Sequence, residues 1–105
     1  MDITVLDAYN NLKADFELND NEFITKELLL ELLTERVLYF MEYNLEYFWS
    51  LLYRMDVSEQ KVKAVLDTDV DVPNKIATLI LERQQEKSAS RQLYKFDNIP
   101  NDLRF

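Results

Sequence analysis

The sequence predicts an all-α fold, a small bundle of four or five helices with a long C-terminal helix. Three observations predict it. Apolar residues recur at i, i+3, i+4 and i+7 along most of the chain. Gly, the residue that tight hairpin turns prefer, is absent. Pro occurs only at positions 73 and 100, just inside the start and beyond the end of one periodic segment.

A first helix is expected over residues 4–16, with Val5, Leu6, Tyr9, Leu12 and Phe16 at helical spacing. The polar stretch 17–23 reads as a connection. Thr25 is expected to cap a second helix, residues 26–42. Its main apolar face is Leu29, Leu32, Leu33, Val37, Phe40 and Met41, and Leu28, Tyr39 and Tyr43 form a ridge beside it. Asn44 can cap a third helix, 45–55, although neither Gly nor Pro separates it from the second, so one bent rod is an alternative. Asp56 or Ser58 caps a short fourth helix, 59–66, that buries Val62, Val65 and Leu66; Asp56 and Glu59 have the spacing of a capping box. Asp71 and Pro73 open a fifth helix, 72–95. Residues 1–96 thus read as one helical domain, and 97–105 as a C-terminal tail, extended or mobile.

Composition excludes several classes of function. At 105 residues and 48% hydrophobic, the chain can form a sizeable core. It has no Cys, hence no disulfide, thiol nucleophile or thiolate metal site. It has no His, the usual neutral-pH general base and commonest zinc ligand. Without Gly, phosphate-binding and dinucleotide-binding loops are absent. No enzyme activity and no cofactor are expected. The first 16 residues show no signal peptide, and Glu31, Glu35, Glu42 and Glu46 interrupt the apolar stretches, so no membrane span is expected and a cytoplasmic location follows by default. Asp67, Asp69 and Asp71 imitate the opening of a calcium loop. Its sixth and twelfth positions, however, hold Val72 and Thr78 in place of Gly and Glu, so the segment reads as a solvated acidic linker and no metal is expected.

Three groups of residues stand out. Seven of the 13 aromatic side chains fall between Tyr39 and Tyr53. On the third helix Leu45, Phe48, Trp49 and Leu52 share one face, and Tyr47 and Leu51 lie on another. A helix apolar on two sides is either central in its own bundle or turned toward a partner. Tyr39, Tyr43, Tyr47 and Leu51 are the candidate interface.

The second group is a basic ridge, Arg83, Lys87, Arg91 and Lys95, spaced i, i+4. Residues 73–105 carry a net charge of +2 and residues 1–24 a net −5, so the two ends complement each other within a monomer or across a head-to-tail dimer. Nucleic acid is not an expected partner, because four cations on a body of net charge −8 neutralise few phosphates and no aromatic is interleaved between Arg83 and Arg91. The third group is Arg54, Asp56 and Arg83. A salt bridge from Asp56 to Arg83 would clamp the fifth helix to the end of the third; alternatively, the two arginines form an anion site.

The segment 51–66 followed by 76–91 is similar to a family of small, uncharacterised, all-helical bacterial proteins. The shared pattern is L-Y-R-x-D-V-S-E and then L-I-x-x-R-Q-x-x-K. It falls here on Leu52, Tyr53, Arg54, Asp56, Val57, Ser58 and Glu59, then on Leu79, Ile80, Arg83, Gln84 and Lys87. The resemblance spans about half the chain, residues 44–91, and implies the helical fold and a bacterial source. The family has no known activity, so no catalytic or ligand residues transfer. The expected function is therefore a non-enzymatic interaction module, with a protein partner or a second copy of the chain as its target. A bundle binding a small molecule or anion through Arg54 and Arg83 is the alternative.

Overall fold

The computed structural model describes residues 3–21 and 23–98, with the backbone alone for 92 and 94–98. Five helices follow one another: α1 (Ile3–Leu12), α2 (Lys26–Tyr43), α3 (Leu45–Arg54), α4 (Glu59–Thr68) and α5 (Val72–Asn98). No strand occurs among the described residues. The protein is a small all-α bundle with a long C-terminal helix. Residues 97 and 98, expected in the tail, continue α5, and 99–105 lie outside the described residues.

Side-chain caps fix three helix starts. Thr25 Oγ1 accepts from the Leu28 N–H at 3.1 Å, Asn44 Oδ1 from the Tyr47 N–H at 3.2 Å, and Ser58 Oγ from the Lys61 N–H at 3.4 Å. Asn44 also donates its own N–H to the Phe40 carbonyl at 2.9 Å. One residue thereby closes α2 and opens α3, and the two are separate helices.

Three helices stop at an acidic residue in the left-handed region where Gly would be preferred: Glu17 after α1, Asp56 after α3 and Asp69 after α4. After α3, the Asp56 N–H bonds the Tyr53 carbonyl and the Val57 N–H reaches back to Leu52, both at 3.1 Å, with Asp56 at φ 59°. This is a Schellman closure, and only a left-handed residue completes it. Asp56 is therefore not the cap of α4; Ser58 is. After α1 the chain makes one further turn to Phe16. It closes the same way, with Leu18 N–H on the Lys13 carbonyl (2.9 Å), Glu17 N–H on Ala14 (3.3 Å) and Glu17 at φ 56°. Formal α1 thus stops short of the expected residue 16, although Phe16 still faces the core.

The central helix is α5, packed against α2, α1 and α4, whereas α3 packs chiefly on α2. Leu12, Phe16, Leu29, Leu33, Ile76 and Ile80 are fully buried between them. Leu6, expected on the inner face of α1, is 39% exposed. The polar half of α5, expected to offer little to the core, buries Gln84 and Ser88. Gln84 Nε2 donates to Met55 Sδ at 3.3 Å, beneath the end of α3. Ser88 Oγ has no hydrogen-bond partner among the described residues. No helix among them is long and apolar enough to cross a membrane.

Candidate interaction surface

The aromatic segment divides across α3, and the division differs from the expected one. Phe48, Leu51 and Leu52 are buried and Met55 follows them inward just past the helix. Leu45, Trp49 and Tyr53, at i, i+4 and i+8, are 54%, 37% and 88% exposed. Leu45 and Trp49 were expected to share a face with Phe48 and Leu52, and they lie apart from them on the exposed side. Tyr47 and Leu51 were expected at the interface, and they are part of the packed interior. Tyr47 sits edge-on to Phe40 with ring centroids 4.9 Å apart, and its hydroxyl donates to the Asp15 carbonyl at 2.8 Å. That hydrogen bond and the Leu51 packing fix which side of α3 faces the bundle. Tyr39 and Tyr43 are exposed, with ring centroids 5.1 Å apart.

Arg54 and Arg83 receive different partners. Arg54 Nη2 pairs with Asp15 Oδ1 at 3.0 Å, behind the end of α1. Arg83 Nη2 pairs with Asp56 Oδ2 at 2.7 Å, and Arg83 Nε donates to the Asp56 carbonyl at 3.1 Å. The hydrogen bond from Arg83, then its charge and that of Lys87, hold the Asp56 carboxyl below its ordinary value; the Asp56 hydrogen bond in turn raises Arg83. The two arginines thus pair with carboxylates on different segments, Asp15 after α1 and Asp56 after α3.

The basic ridge is largely satisfied from within the chain. Lys87 Nζ donates to the Met55 carbonyl at 3.2 Å, and Arg91 Nη2 meets Asp7 Oδ2 at 2.7 Å. The Arg91–Asp7 pair joins the basic and acidic ends of one chain. The side chain of Lys95 lies outside the described residues.

Two clefts flank the end of α3. One, of about 340 Å³, is lined mainly by polar residues including Lys61, Glu82, Arg83 and Glu86. The other, of about 200 Å³ between α3 and α4, is lined by Trp49, Leu52, Tyr53, Val57, Glu59 and Val62. Among the described residues no group of three or more Asp or Glu is placed to hold a metal ion.

No family model, curated protein or solved structure matches the chain. The functional reading therefore rests on geometry. Periodicity could not select the free ridge, because apolar residues cover more than half the circumference of α3 and any sector of it could have been the buried one. The missing signal lay outside the helix, in a single Tyr47 hydroxyl reaching a carbonyl 32 residues away.

Proposed function

We propose that the protein is a non-enzymatic interaction module that docks a protein partner on the outer face of α3. One observation carries this reading: Leu45, Trp49 and Tyr53 form an exposed ridge on a peripheral helix whose neighbouring face is already buried. Large aromatic side chains with polar tips suit such surfaces. The charge around the ridge favours a different protein over a second copy. Glu42 and Glu46 are exposed and form no ion pair among the described residues, and a two-fold contact sets like charges against each other. The absence of His and Cys supports the non-enzymatic part.

A photo-crosslinking residue replacing Tyr53 in the full chain, expressed in cells, tests the reading. The expected result is an adduct with a second protein that disappears when Trp49→Glu is added. No such adduct should form from the same residue placed at Glu31 on α2. An adduct with another copy of the chain would replace the hetero-partner by self-association, and no adduct at Tyr53 would overturn docking on α3.

A further inference from the structure

The cleft between α3 and α4 combines two aromatic rings, an apolar floor and a carboxylate. Trp49 and Tyr53 stand one turn apart on α3, Leu52 and Val62 are buried beneath, and Glu59 opens α4 on the far side. Its volume of about 200 Å³ lies below the roughly 300–1,000 Å³ typical of small-molecule pockets, a size suited to one side chain. Among the described residues Glu59 pairs only with Lys63, at 3.3 Å, with both side chains more than half exposed. Such an i, i+4 pair is weak and yields readily to a better-placed cation.

The molecule contains an occupied version of the same arrangement. The Arg36 guanidinium lies 4.6 Å from the Tyr39 ring centroid and 4.9 Å from that of Phe40, and its Nη2 meets Glu17 Oε1 at 2.9 Å. Two aromatic faces and a carboxylate hold one arginine there. The α3–α4 cleft is lined by two aromatic rings and a carboxylate, all on exposed residues, on a chain of net charge −8.

We infer that the Trp49–Tyr53–Glu59 cleft receives an arginine side chain from the partner, so that the docking segment of that partner is cationic. This inference rests on docking at α3 and specifies its chemistry. Arginine is favoured over lysine because a planar, weakly hydrated guanidinium stacks on an aromatic face while bonding a carboxylate.

Trp49 is the only tryptophan, so its emission reports on the cleft directly. The full chain is titrated at low salt with acetyl-tetraarginine amide and with its lysine and citrulline counterparts. Tetraarginine should change the emission saturably, with an affinity about fivefold above tetralysine, the equivalent of roughly 1 kcal/mol at an exposed cation–π site. Citrulline, which keeps the shape without the charge, should bind weakest. Glu59→Gln should weaken tetraarginine about threefold or more, Glu31→Gln should leave it nearly unchanged, and Tyr53→Leu should abolish the preference over lysine. Equal affinity for arginine and lysine, or equal effects of the two Glu→Gln variants, would show diffuse attraction to an acidic protein and overturn the inference. A Tyr53 adduct with a partner but no arginine preference would sink the inference alone. Arginine binding without an adduct would instead remove the docking reading on which it rests.

Discussion

The ends of α1 and α3 are built to one plan and secured to different degrees. Each helix stops at an acidic residue in the left-handed conformation, Glu17 or Asp56, and each stop is gripped by an arginine from a later helix. In both grips Nε bonds a backbone carbonyl and Nη2 bonds the carboxylate: Arg36 with Phe16 and Glu17, Arg83 with Asp56 alone. Around the end of α1 the contacts multiply. Phe16 is buried against Phe40, Tyr47 and Arg54 both hold Asp15, and Leu18 packs inside. The Tyr9 hydroxyl donates to the Asn19 carbonyl and accepts from the Asn21 N–H, pinning the following loop. The end of α3 has Arg83, Lys87 and Gln84, and Val57 beyond it is only partly buried between two clefts. The same closure anchors the core at one end of the molecule and borders the proposed docking surface at the other.

Substitutions can break this contrast, and the largest effect belongs to the hydrophobic anchors. Phe16→Ala should cost about 3–5 kcal/mol in chemical denaturation, whereas Val57→Ala should cost about 1 kcal/mol or less. Comparable losses would mean that the two ends are equally anchored. Next come the arginines. Arg36→Met should cost about 1–2 kcal/mol, because it removes two hydrogen bonds and two ring contacts from a guanidinium that is mostly covered. Arg83→Met, at a more exposed site without ring stacking, should shift the midpoint less.

Ser88→Ala supplies a more stable background for reading these variants. Removing a buried hydroxyl that has no partner among the described residues should raise stability by about 1 kcal/mol, measured by the same denaturation. A loss on that substitution would show the hydroxyl to be bonded in solution. The smallest effect is acid-dependent. The folded value of Asp56 is depressed below the ordinary 3.8, so its stabilisation is present above that pH and is lost as pH falls through the lower folded value. The stability difference between the protein and Asp56→Asn should therefore narrow as pH is taken below about 4.

Much of the fold was legible in the sequence because its signals are local. The caps at Thr25, Asn44 and Ser58 satisfy amides three residues away, and the spacing of Leu29, Leu33, Val37 and Phe40 repeats within one helix. The closures at Glu17 and Asp56 were hidden, since nothing in composition marks an acidic residue as the left-handed stop where Gly is preferred. The surface was less legible than the fold. Tyr39 and Tyr43 are exposed, but Leu51 is buried and Tyr47 half-buried through long-range packing that no periodicity encodes. The burial of Gln84 and Ser88 follows from the central position of α5, a property of the assembled bundle.

The single-residue junction at Asn44 has a consequence for insertions and deletions. An α-helix turns about 100° per residue, and the exposed ridge of α3 lies about one such step around the helix from its buried face. No loop separates α2 from α3 to absorb a change in length. Deleting one residue at this elbow would bring Trp49 and Tyr53 to the buried positions of Phe48 and Leu52 and carry Leu51 to the exposed position of Ser50. The length of the shortest connection in the chain thus decides which apolar side chains of α3 meet the solvent.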